Sequence, residues 1–248
     1  MSNTTHARQR WSSGWALHVA AAIGLSHVVA LAAPPSDAAL PGPKQRIAPV
    51  AAAAAVGDMP QLRDALNRGL DAGLTVSETK EVLVQLDAYA GFPRSLNGLG
   101  ELLKVLDARQ QRGINDPPGR EPSRVPVGEA LLAQGSATQA KLFGGPVKGP
   151  LFDFAPGADL FLKTHLFGDI FARDNLDWQS RELATIGALA ALDGVESQRQ
   201  AHVGVSLRLG LTPAQLGEVA DALAHAGHAD AARRTRAAIE THLVRPAK

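Results

Sequence analysis

Cysteine is absent from the 248 residues. That removes disulfides, thiolate metal sites and any thiol-based peroxidase or redox chemistry carried by this chain. It leaves the compartment open, since exported proteins also occur without cysteine. Aromatic residues are scarce, at 4% of the sequence. Alanine and leucine fill the apolar positions instead, and both lose little on entering a helix. Alternating β-branched runs are nearly absent, so the pattern predicts an all-α protein. An excess of one charge is missing too. The formal net charge is +1, and no Lys/Arg cluster is interleaved with aromatics, so nucleic-acid binding has no electrostatic footprint. Gly144-Gly145-Pro146 does not join a strand to a helix, which argues against a phosphate-binding loop.

What is present falls into four parts. Residues 1–32 carry Arg8 and Arg10, an apolar stretch from Trp15, and the small-x-small pattern Ala30-Leu31-Ala32. This reads as a secretory signal peptide, so the expected product is exported, periplasmic or secreted, with no membrane attachment after cleavage. The alternative reading is an uncleaved anchor, because the apolar run is close to spanning length. Residues 44–110 read as a first helical unit, with Asp58 as one helix cap and Thr75-Val-Ser-Glu78 as a capping box. Its last helix, from about Ser95, sets Leu96, Leu99, Leu103 and Leu106 on one face. Residues 111–157 are rich in Pro and Gly and read as a strap over the surface, interrupted by a short helix near Gly128–Gln134. Leu142, Phe143, Leu151, Phe152 and Phe154 are its expected apolar anchors. Residues 158–245 read as a second helical unit. Asp177 caps a helix from Trp178, Ser197-Gln-Arg-Gln200 reads as a capping box, and Thr212-Pro-Ala-Gln215 as another.

The two units echo each other at a spacing of 137 residues. Leu70, Gly73, Leu74 and Thr75 fall on Leu207, Gly210, Leu211 and Thr212, and Glu81-Val82 falls on Glu218-Val219. Alanine-rich low complexity would not reproduce the terminal glycine and the cap together, so the chain reads as a tandem duplication. The copies differ in ionisable residues. His202 falls on Ala65, and Arg181-Glu182 on Lys44-Gln45, so the first copy reads as scaffold and the second as the candidate for chemistry.

Arg181-Glu182-Leu-Ala-Thr185 at the start of an apolar helix, Gln198–His202, the Gly210-Leu-Thr212 turn, Glu218-Val219 and Tyr89-Ala-Gly-Phe-Pro93 together resemble the carboxymuconolactone decarboxylase-like family, over about 44–110 and 158–245. The resemblance implies an all-helical, obligately oligomeric protein. The family includes a lactone decarboxylase of aromatic catabolism and the alkyl hydroperoxidase D-like enzymes. The peroxidase branch places Cys-x-x-Cys immediately before the histidine. The corresponding residues here are Val195 and Gln198, so that chemistry is excluded even if a peroxidase name attaches to the family.

Within this frame His202 and Glu182 are the candidate catalytic residues, able to supply a proton to a developing carbanion or enolate. Arg181 and Arg173 are the candidate substrate-binding residues, because a guanidinium grips a carboxylate in bidentate fashion. The bland readings stand beside these: His202 as a surface histidine, and Arg181 and Glu182 as first-turn helix charges. Glu196 and His165 are weaker candidates, read more readily as a helix cap and a core-edge histidine. His225 and His228 are too few to specify a metal. The expectation is a cofactor-free, metal-free acid/base enzyme acting on a small carboxylated lactone or related acid. The competing expectation is a non-catalytic oligomeric binding or assembly protein. Ala-rich helices each bury little area, so a homo-oligomer is expected in either case.

Overall fold

The computed structural model describes residues 38–244, and the signal-peptide reading of residues 1–32 lies outside them. Among the described residues every regular element is helical. No helix there is long and apolar enough to cross a membrane. In order they are α1 (Gly42–Val56), α2 (Met59–Asp71), α3 (Val76–Val84), α4 (Asp87–Ala90), α5 (Phe92–Gln111), α6 (Glu129–Phe143), α7 (Pro150–Phe154) and α8 (Pro156–Phe161). A π-helical segment follows at Leu162–Ile170, and then α9 (Trp178–Ala191), α10 (Glu196–Arg208), α11 (Pro213–His225) and α12 (Ala229–Val244).

Two alanine-rich helices form the centre. α1 packs along α9, and α9 is buried on every side from Ser180 to Ala190, where apolar and small residues enclose the polar side chains of Ser180, Arg181, Glu182 and Thr185. Small side chains let the two backbones meet. A β-carbon on Gly187 would stand 2.3 Å from the carbonyl oxygen of Ala48. Gly187→Ala is therefore expected to destabilise the fold by about 1–3 kcal/mol, despite the better helix propensity of alanine. A lower urea midpoint at unchanged slope would register this; a midpoint equal to or above wild type would refute the close approach.

The remaining helices enclose this pair. α2, α3 and α5 cover α1, while α10 and α12 cover α9; α11 packs mainly on α12 and α1. Helix starts recur at one spacing: Met59 and Glu196, Val76 and Pro213, and Phe92 and Ala229 each lie 137 residues apart. Thr75 and Thr212 both close reciprocal capping boxes, with Glu78 and Gln215 respectively.

α3 runs from its Thr75 cap to Val84, and Gln85 turns its amide inward before α4 begins. Three local expectations change. α10 opens at Glu196 with Val195 as its cap residue, so Ser197 lies inside the first turn and caps nothing. α5 buries Ser95, Gly98, Leu102 and Val105, leaving Leu96 and Leu103 each 61% exposed. Periodicity reveals an apolar stripe but not which neighbour meets it; Gly98 decides, because its bare backbone admits Leu83 and Ala54. In the strap, α6 runs to Phe143 and packs on the π-helical segment, burying Thr138, Gln139 and Leu142. Leu151 and Phe154 anchor nothing in the single chain and stay exposed.

The strap is pinned by polar contacts. The amides of Val76 and Ser77 donate to the carbonyls of Pro117 and Pro118, which occupy free donors at the start of α3. Buried Arg109 holds Asp116 through two nitrogens.

Candidate active site

The site grows from the first turns of α9. Asp177 accepts from the amide of Ser180 and starts the helix cleanly. Arg181 and Glu182 then follow, where the helix is already enclosed. Both are wholly buried. Adjacent residues point about a quarter-turn apart, and the two side chains reach different partners.

Glu182 meets His202, which comes from the second turn of α10. Its Oε2 lies 2.9 Å from His202 Nδ1. Glu182 has no other partner, and Oε1 is buried without a hydrogen bond. Nε2 of His202 has no hydrogen-bond partner among the described residues. Two rings confine the imidazole edge-on: Tyr89 at 5.6 Å and Phe143 at 6.2 Å between centroids. Tyr89 sits in α4, its ring partly exposed and its hydroxyl buried. That hydroxyl lies by Thr185 but makes no well-formed hydrogen bond. Burial, reinforced by the negative charge of Glu182, drives its pKa far above the ordinary phenol value. Tyr89 is thus a neutral donor at every physiological pH.

Arg181 points to Glu81 of α3. Its guanidinium donates to Glu81 at 3.0 Å, to the carbonyl of Arg173 at 2.9 Å and more loosely to Gln85. Gln85 returns a bond to the carbonyl of Arg181. Arg173 grips the same Glu81 with two nitrogens at 2.8 and 2.7 Å. One carboxylate therefore serves two guanidiniums. Burial alone would raise the pKa of Glu81, but hydrogen bonds and charge from Arg173 and Arg181 more than reverse this, and the net shift is downward. Burial also lowers the pKa of Arg181, although Glu81 opposes it.

The geometry thus sorts the candidates from the sequence. His202 and Glu182 are brought together. Arg181 and Arg173 are brought together as well, but around Glu81 rather than facing an open space. Glu196 is exposed at the start of α10, with Arg199 at 3.7 Å. His165 lies between Asp87 and Asp169. His225 binds the carbonyl of Asp221. Among the described residues no three His, Asp or Glu side chains gather as metal ligands would.

Residues 156–241 match the carboxymuconolactone decarboxylase family. This part of the chain is a carboxymuconolactone decarboxylase-family domain. A search of the curated proteins gave no match. The family domain supplies Arg173, Arg181, Glu182 and His202, while Glu81, Gln85, Tyr89 and Phe143 come from outside the matched segment. Sequence reasoning missed the roles of all four. Tyr89 offered one signal, as the only tyrosine in the chain; Glu81 offered another, as half of a pair repeated at Glu218.

Beside the site a cleft of about 500 Å³ is lined by Phe143, Val205, Arg208 and His242. Phe143 belongs to both places: one side contacts His202 and the same ring borders the cleft. Arg208 has no carboxylate partner among the described residues.

Proposed function

We propose that the protein is a cofactor-free acid/base enzyme that removes carbon dioxide from a small carboxylated lactone or related acid, with His202 as proton donor. The observation that carries this reading is the buried Glu182–His202 pair at 2.9 Å. An isolated Glu–His pair inside a core is poor value for stability, because desolvation offsets much of its attraction. Its position beside two buried oxygens without partners, Glu182 Oε1 and Tyr89 Oη, suits a centre completed by a substrate.

The chemistry balances without a cofactor. The bond between the substrate carbon and its carboxylate breaks, carbon dioxide leaves, and the electron pair stays on carbon as an enolate. The imidazolium of His202 delivers its Nε2 proton to that carbon. Glu182 holds the other ring nitrogen and stabilises the imidazolium before transfer. Tyr89, neutral and desolvated, donates to the enolate oxygen. The cleft past Phe143 is the route in, and Arg208 is the cation available there to hold a second carboxylate. Arg181 and Arg173 act through the scaffold, by fixing Glu81 and the start of α9.

The tandem duplication belongs to the same reading, supported by the common spacing of helix starts and capping boxes. On this view a duplicated unit kept its acid/base residues in one copy, and the other copy contributes Tyr89 from across the junction.

Purified protein should release carbon dioxide from a small carboxylated lactone without added cofactor. Tyr89→Phe should slow release about 10²- to 10³-fold, as loss of one donor to a developing oxyanion implies. Its stability should be unchanged or raised by up to about 1 kcal/mol, because a buried hydroxyl without a partner is removed. Absence of release from a panel of such acids would overturn the reading.

A further inference from the structure

The spacing of 137 residues that relates the two halves also points to a second location. His202, Tyr89 and Gln85 have Ala65, Ala226 and Ala222 at that spacing. All three alanines line one cavity of about 170 Å³ between α1, α2 and α11. The cavity is more enclosed than the surface clefts beside α10 and α12. Where one location is filled by an imidazole, a phenol ring and an amide, the other has been emptied to methyl groups.

Charge has changed in the opposite sense. Leu183 and Val205 have Arg46 and Arg68 at the same spacing, and both arginines line the cavity. Arg46 is half-buried and Arg68 exposed. Neither has a hydrogen-bond or ion-pair partner among the described residues. Most other arginines in this region are paired, as Arg63 is to Glu101 and Arg109 to Asp71 and Asp116. Two unpaired guanidiniums bordering one concavity repel each other, and an anion between them relieves that repulsion. Besides the two arginines, the lining consists of the three alanines, Pro49 and His225, and the ring of His225 is held to the carbonyl of Asp221. A cavity of about 150 Å³ with an apolar lining accommodates benzene, so this space is of the right order for a six-carbon body.

We infer that this cavity is a second binding site, for a small organic carboxylate with an apolar body of about six carbons. The carboxylate lies between Arg46 and Arg68, and the body rests on Ala65, Ala222 and Ala226. The site is separate from the His202 centre and stands whether or not that centre is catalytic.

The test is calorimetric titration of the full chain with benzoate, with inorganic phosphate and benzyl alcohol as comparison probes. Benzoate should bind saturably. Phosphate, which lacks the apolar body, and benzyl alcohol, which lacks the charge, should each bind at least about tenfold more weakly. Arg46→Gln and Arg68→Gln should each weaken benzoate about tenfold or more, the equivalent of about 1.4 kcal/mol. Ala226→Leu should abolish binding by filling the space, with an unchanged helical circular dichroism spectrum. His202→Gln, which can still donate to Glu182, should bind benzoate as wild type does. The inference is overturned by no benzoate binding, by phosphate binding as tightly as benzoate, or by affinity unchanged in both arginine variants. It is also overturned if His202→Gln, with an unchanged thermal melt, removes binding while the arginine variants do not, since that would place the carboxylate at the other centre.

Discussion

His202→Ala is expected to lower turnover on a carboxylated substrate about 10²- to 10⁴-fold, the usual contribution of a positioned proton donor. Removal of the imidazole also strips Glu182 of its one hydrogen bond and leaves a wholly buried carboxyl group with no partner. Loss of one member of a buried pair costs about 3–5 kcal/mol, so the alanine variant alone would confuse chemistry with folding. His202→Gln separates the two. Its side-chain amide can still donate to Glu182 and fill most of the ring volume, but it cannot shuttle a proton. Turnover should fall by a similar factor in both variants, while thermal melting should show a large stability loss only in the alanine variant. A glutamine variant that keeps wild-type turnover would end the assignment of His202 as proton donor.

Glu81→Ala should also destabilise the fold strongly, by about 3–5 kcal/mol. The carboxylate lies between Arg173 and Arg181, and Arg181 is wholly buried. Without it two guanidiniums face each other, one with no route to water. The sign of the pH dependence follows from the lowered pKa of Glu81. A carboxyl group with a depressed folded-state pKa contributes stability in full above its unfolded value, and loses it as pH falls through the folded value. Glu81→Gln should therefore be less stable than wild type at pH 7. The gap should narrow only below the ordinary glutamate pKa of about 4.3. Urea midpoints measured from pH 7 to pH 3 check both points. A gap that stays constant over that range would show that the charge of Glu81 is not what holds the two arginines.

Much of the architecture is legible in local chemistry. The capping residues Asp58, Thr75, Asp177 and Thr212 mark helix starts that the structure reproduces. Each works through a contact three residues away, so a short window of sequence contains the whole cause. Ser197 is the instructive failure. The Ser-x-x-Gln spacing is present, but the helix has already begun at Glu196, one residue upstream. The leucine stripe of α5 fails for another reason. Leu96 and Leu103 have the correct period, yet the face that meets the core is chosen by Gly98, whose missing side chain admits Leu83.

The candidate site divides along the same line. His202 and Glu182 stood out because each is an ionisable residue in an alanine- and leucine-rich stretch. That they meet at 2.9 Å depends on how α10 folds back over α9. Arg181 and Arg173 stood out for the same reason, but their partner Glu81 lies 100 and 92 residues away. Helical periodicity does not reach across such a distance.

The sequence by itself determined the helical class, the absence of thiol chemistry and the residue types available for acid/base work. Those follow from composition and from interactions within a few residues. Only the tertiary structure decided that Tyr89 and Glu81 from the first half complete a centre begun by Glu182, His202 and Arg181 in the second. The packing of α1 along α9 does this by burying both helices against each other, which brings α4 against α9 and Glu81 of α3 within reach of Arg181. A separate cavity lined by Ala65, Ala222 and Ala226 lies between α1, α2 and α11. Contacts of that kind are set by which faces are buried together, and no local pattern in the chain encodes the partner.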